Sequence, residues 1–257
     1  MEEKKFGLTG STLKWIAIVT MLIDHIGASI LTKKLLYMGD NPEAFGGVTP
    51  QFIEQYNNLY YVMRVTRTIG RIAFPIFCFL LVEGFLRTKD FRKYFLRIAA
   101  FALLAEIPFD LVFAASPVFW GYQNVMITLL IGMLTMYGCR VLEEKIPNKV
   151  GQFVAWGGCF ALGAIVAELL KTDYGAKGII PIMVLYFLRH FKLYQMIGGA
   201  LSFIWEIPAP LSFLFIGFYN GKRGMKMKYF FYLFYPLHLF ILYLICYAMG
   251  LGAIPVV

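Results

Sequence analysis

An acid and an imidazole stand side by side at Asp24 and His25, within the apolar run "MLIDHIGASI". A charged side chain in a membrane span costs on the order of 3 kcal/mol on insertion scales, so such groups face a protein-lined or wet cavity and carry function. An imidazole there suits proton transfer, as a general base or in a relay. Other ionisable groups share the apolar setting: Arg71 and Glu83, then Glu106 and Asp110 in "AEIPFD", Glu168 and Asp173 in "AELLKTDYG", and His238 in "FYPLHL". His25 and His238 fall near the middle of their runs. Asp24, Arg71, Glu106, Asp110, Gln123, Asn124, Asp173 and Glu206 fall in the middle or on the opposite side from the amino terminus.

Spacing groups these residues. Lys14 and His25 are eleven positions apart, three helical turns, and share one helix face. Asp24 points about 100° away, on a face with Ala17, Thr20 and Gly27, whose small side chains permit close packing. Arg64, Arg67 and Arg71 recur at i, i+3 and i+7. Arg71 is the expected counter-charge of Asp24, and a purely structural ion pair is the alternative use of both. Glu83 and Arg87, four apart, are expected to pair structurally. Glu106 and Asp110 flank Pro108, which is expected to kink its helix; anchoring that helix is their alternative use.

These residues need helices to hold them. The chain has 257 residues, 60% hydrophobic and only 15% charged, with 24 Lys and Arg against 15 Asp and Glu. Soluble domains carry roughly 25% charged residues. Repeated apolar stretches of about 20 residues, each able to cross a bilayer core of about 30 Å, predict an all-α, polytopic integral membrane bundle forming a single domain over residues 1–257. Nine segments are expected: 12–32, 67–86, 94–114, 124–142, 151–170, 175–190, 193–206, 208–219 and 229–250. The seventh and eighth are short and interrupted at "WEIPAP". Residues 33–63 are expected to be the longest non-spanning stretch. No cleavable signal peptide is expected, because Asp24 and His25 interrupt the stretch that would serve as its apolar core.

An amino terminus in the cytoplasm puts 17 of the 24 Lys and Arg on the cytoplasmic side and seven on the other. The positive-inside rule then predicts N-inside, C-outside. The net charge of +9 is thereby a topology signal with anionic lipid contact as its second use, which argues against a nucleic-acid partner. Cys78, Cys139, Cys159 and Cys246 are scattered without a C-x-x-C pair and read as small hydrophobes. Three histidines without H-x-x-H spacing predict no metal site. No G-x-S-x-G elbow is present.

Several blocks together resemble the TraX family: "LKWIAIVTMLIDHIGA", "RTIGRIAFPIFCFLLVEGF", "IPFDL", "DYGAKG" and "FYNGKRG" followed by "YFFYLFYPLHL". They run from residue 13 to residue 240. The resemblance implies a membrane-embedded acetyltransferase of the bacterial inner membrane, using acetyl-CoA as co-substrate and no metal. The family's named member acetylates the amino-terminal alanine of F-type pilin. TraX proteins are in turn similar to a larger transmembrane acyltransferase superfamily, many of whose members move acetyl groups across the membrane. A basic residue eleven positions before a catalytic histidine is a feature of that superfamily. Lys14 and His25 match it, with Lys where Arg is more usual; Lys cannot clamp a phosphate in a bidentate way.

On this resemblance His25 is the general base, and Asp24, Arg71 and His238 complete the catalytic group. Acetyl-CoA is a polyanion, so its nucleotide end is expected at Lys14, Arg87, Arg97, Lys222 and Arg223, with Tyr235 beside the reacting end. Glu106, Asp110, Asn124 and Asp173 are expected to receive the acceptor, a peptide amino terminus, small amine or glycan. Mid-membrane acids and histidines suit a proton-coupled transporter or export accessory equally well. That alternative differs by consuming no acetyl-CoA. A lipid-embedded scaffold is the third reading, and it leaves the intramembrane charges unexplained.

Overall fold

Residues 6–257 are described by the computed structural model; Lys4 and Lys5, counted in the charge bias, lie outside the described residues. The described residues form helices and turns with no strand. Polar caps start the helices where the sequence offers them. Thr9 accepts from the Thr12 N–H at 3.2 Å and opens α1 (Gly10–Ile26). Immediately after His25 the helix widens into a π-helical turn, Gly27–Leu31, and continues as α2 (Thr32–Asp40). Such widened turns recur at functional sites. Here the Ser29 hydroxyl donates to the His25 carbonyl at 2.5 Å and Thr32 to that of Gly27 at 2.8 Å.

The chain returns through α3 (Pro50–Gly70), capped by Thr49 with Pro50 in its first turn. Residues 33–63, expected not to span, are largely helical. Their mixed polarity hides a helix whose inner face packs along α1. Gly27 and Gly70 allow this approach, because a Cβ at Gly27 would strike the Thr66 hydroxyl and one at Gly70 would strike Asp24. A turn at Arg71–Ile72 separates α3 from α4 (Ala73–Arg87), so Arg71 stands at a helix junction within the stretch Pro50–Arg87.

Next come α5 (Phe91–Phe113), capped by Asp90, α6 (Val125–Lys145), capped by Asn124, and α7 (Lys149–Leu169), capped by Asn148. They are followed by α8 (Gly175–Phe187), α9 (Lys192–Leu201), α10 (Ser212–Gly217) and α11 (Lys228–Ala248). Among the described residues five helical stretches are long and apolar enough to cross a membrane: Gly10–Asp40, Pro50–Arg87, Val125–Lys145, Lys149–Leu169 and Tyr229–Ala248. The protein is a multi-pass membrane protein. Helix α5 is long enough at 23 residues, but five charged residues along it lower its apolarity. Helices α9 and α10, with ten and six residues, reach only about 15 and 9 Å. Between them the chain reaches Arg71, through Glu206, and α10 then returns toward the amino terminus, where the Leu8 N–H donates to the Phe218 carbonyl at 2.8 Å.

Helices α1 and α11 run in the same direction. Lys14 lies over the Phe231 ring, His25 meets His238, and Lys33 interacts with Cys246. Side chains of α1, α4 and α5 fill the core between them, including Leu13, Ala17, Ile76, Val82, Ala102 and Ala105.

Candidate functional site

The His25–His238 pair has a readable polarity. His238 Nδ1 lies 2.8 Å from the Phe234 carbonyl oxygen, which only accepts, so Nδ1 carries the proton. In a neutral ring Nε2 then accepts, and its partner at 2.6 Å, His25 Nδ1, must donate. The two rings are nearly coplanar, 2° apart. This chain of bonds leaves His25 Nε2 with a free lone pair. Phe113 and Tyr235 meet the His25 ring edge-on at 5.8 and 6.1 Å and fix its tilt.

Two cavities approach this pair. The larger, about 510 Å³, is a cleft beside the first turns of α1 and the end of α4. Lys14, Arg87, Lys89, Arg97 and Arg223 line it, with Tyr94, Tyr219 and Tyr232. Arg87 pairs with Glu83 at 2.7 Å, as expected, donates to the Gly221 carbonyl at 2.6 Å and lies over Tyr219. Arg97 sits between the Tyr94 and Tyr232 rings, 5.9 Å from each, with its Nε buried and unpartnered. The loop 218–225 is tied to the amino terminus. Gly10 and Ser11 N–H groups donate to the Lys222 and Arg223 carbonyls, and Met225 N–H to the Ser11 hydroxyl. A cationic, aromatic mouth of this kind suits a phosphorylated, planar ligand.

The second cavity, about 240 Å³, holds His25, Asp24, Arg67, Arg71, Tyr122, Asp173 and Tyr174 on its walls. Asp24 pairs with Arg67 at 2.5 Å, and Arg71 pairs with Glu206 at 2.8 Å. The expected Asp24–Arg71 pair is therefore corrected. Arg67 lies one turn earlier on α3, where it faces α1, whereas the chain turns away at Arg71. Asp24 Oδ1 and Glu206 Oε2 are buried without a hydrogen-bond partner. The Tyr122 hydroxyl donates to Asp173 at 2.5 Å, and Tyr174 stacks on Phe74 with ring centres 3.8 Å apart. Two carboxyl groups, Asp24 and Asp173, and two guanidinium groups thus line one small space, with Glu206 pairing Arg71 from outside its lining.

Of the residues singled out from sequence, Lys14, Arg87, Arg97, Arg223 and Tyr235 come together on the cleft. The Lys222 side chain does not line it; that residue contributes its carbonyl to the amino-terminal tie. His25, Asp24, Arg71 and Asp173 come together on the second cavity, with His238 behind His25. Glu106, Asp110 and Asn124 do not line either cavity. Asn124 is fully buried, caps α6, donates to the Ala102 carbonyl at 3.0 Å and hydrogen-bonds Glu106. Asp110 accepts from the Phe119 N–H at 2.7 Å. Those three fasten α5 to the connecting loop and to the start of α6. Sequence reasoning missed Arg67 as the partner of Asp24 and Glu206 as that of Arg71, although the arginine stripe and the acid in "WEIPAP" were both visible. Nothing in the sequence singled out Tyr122 or Tyr174. Among the described residues no cluster of three or more His, Cys, Asp or Glu could hold a metal ion.

The chain is 27% identical over 251 residues to a probable fimbrial assembly protein FimC, serogroup H1, of Dichelobacter nodosus, covering 90% of this chain and 92% of that one. It is 26% identical over 179 residues to the uncharacterized protein RP591 of Rickettsia prowazekii (strain Madrid E), covering 68% of this chain and 54% of that one. No solved structure matches it. The model of the family described as TraX protein matches residues 9–246, so the chain belongs to the TraX family.

Proposed function

We propose that the protein is an acetyltransferase that passes an acetyl group from acetyl-CoA in the larger cleft to an amine in the smaller cavity, with His25 as general base. The observation that carries this reading is the convergence of Lys14, Arg87, Arg97 and Arg223 on a cleft whose far end lies against the wall of the His25 cavity. The rise from Lys14 to His25 is about 16 Å along α1, a distance for the pantetheine arm to cover. His25 Nε2 takes the proton of the attacking amine as the C–N bond forms. The C–S bond breaks, and the proton passes to the departing thiolate, which leaves as free CoA. His238 is a positioning residue that holds the tautomer of His25. The buried, unpartnered Asp24 Oδ1 on the smaller cavity favours a cationic amine, and the fimbrial assembly description of one relative favours a peptide amino terminus as acceptor.

The same reading puts the protein in the bacterial inner membrane with its amino terminus in the cytoplasm and nine crossings or near-crossings. The parallel course of α1 and α11 supports an odd count, and the count stays odd if the α9–α10 pair enters and leaves by the same face. Proteoliposomes with acetyl-CoA enclosed and a peptide bearing a free amino terminus outside test it. Acetylated peptide outside, with free CoA inside, supports transfer across the membrane. Movement of the amine with acetyl-CoA unconsumed would favour a transporter instead.

A further inference from the structure

The two cavities share three residues, Met21, Phe77 and Val125, one each from α1, α4 and the first position of α6. Met21 is buried, with 7% of its surface exposed, and stands four residues before His25 on the same helix face. Its level is about 6 Å below that of His25. The Tyr235 hydroxyl meets the Val125 backbone, and the Tyr235 ring meets that of His25, so this side of the partition is braced. No histidine lines the cleft, and none of the cleft's cations lines the smaller cavity. A donor seated by its phosphates in the cleft reaches the base only by passing its acyl end through this partition.

We propose that Met21, Phe77 and Val125 form a septum that sets the length of the acyl group the protein accepts. The inference rests on the acetyl-transfer reading and extends it to donor selectivity. The thioester stops at the septum, and the acyl group alone enters a space of about 240 Å³ that must also hold the acceptor amine. Each added methylene takes room from the acceptor and presses on the septum. Methionine, unbranched and flexible, is the member able to swing aside for a two-carbon group. One methylene in a shaped apolar pocket is worth roughly 10- to 200-fold in discrimination.

The test compares acetyl-CoA with butanoyl-CoA on the full chain in lipid nanodiscs, with a peptide bearing a free amino terminus, reading free CoA and acylated peptide by mass. Wild type is expected to prefer acetyl by at least about tenfold. Met21→Ala is expected to shrink that ratio by about tenfold or more, with affinity for CoA itself within about twofold. Val125→Ala, a smaller truncation at the same partition, is expected to shift the ratio in the same direction and stands in if Met21→Ala does not fold. Acetyl transfer that persists with an unchanged ratio in the folded variants overturns the septum alone. Turnover of neither donor by wild type overturns the acetyl-transfer reading, and the septum with it.

Discussion

Replacing Arg67 by methionine tests the arrangement around Asp24 at its most specific point. The Asp24–Arg67 contact is 2.5 Å, with the two side chains 14% and 30% exposed. At an effective dielectric of about 20 the gross attraction is about 7 kcal/mol, which sets a ceiling. Removing one partner of a buried pair costs about 3–5 kcal/mol, because the other charge is left uncompensated, while replacing both by apolar groups is often close to neutral. Arg67→Met and Asp24→Asn are each expected to destabilise the protein, and the double variant to recover about 1–3 kcal/mol of the summed loss. Arg71 pairs with Glu206 instead, so the coupling of Arg71→Met to Asp24→Asn is expected to be smaller than that of Arg67→Met. The assay is reversible unfolding in mixed detergent micelles, run as two double-mutant cycles. A coupling between Asp24 and Arg71 larger than that between Asp24 and Arg67 would refute the assignment.

Lys14→Ala and Arg223→Ala are each expected to weaken CoA binding by about tenfold or more, the worth of one charge-assisted contact, with the loss shrinking in high salt; equal affinity for CoA in both variants would remove the cleft from the donor site. His238→Phe removes the acceptor that fixes the His25 tautomer, so acetyl turnover is expected to fall by about 10²-fold or more with CoA affinity unchanged; a matching loss of affinity would mean that the helix had moved. Asn124→Ala takes away a helix cap and two buried hydrogen bonds, and is expected to cost about 2–4 kcal/mol. It should leave acceptor KM unchanged, and a raised KM at intact stability would return Asn124 to the acceptor site.

The donor side was more legible in sequence than the acceptor side, for a physical reason. Lys14, Arg87, Arg97 and Arg223 are long cations at span ends, and charge asymmetry identifies that end of a bundle without knowledge of packing. His25 and His238 stand out because an imidazole in an apolar run is costly. Which ones touch depends on helix adjacency, and the parallel contact of α1 with α11 joins residues 213 positions apart. Asp24 illustrates the limit. Its periodicity places it on the small-residue face, but choosing Arg67 over Arg71 requires knowing that α3 ends at Gly70. Glu106, Asp110 and Asn124 share the residue types of a polar site, yet their hydrogen bonds are spent on fastening α5 and α6. Composition cannot separate those two uses. Likewise the first half of α3 escapes a hydropathy reading because Gln51, Glu54, Gln55, Asn57 and Asn58 are interspersed among its apolar residues.

The proposed chemistry stands on His25 acting on an acetyl thioester. The direct measurement is release of free CoA from acetyl-CoA by purified protein in nanodiscs, wild type against His25→Ala, with CoA binding measured on the same samples. Equal binding is expected, with turnover in wild type alone and the variant falling by at least about 10²-fold. Turnover that survives in folded His25→Ala, or a folded wild type that does not bind acetyl-CoA, would contradict it.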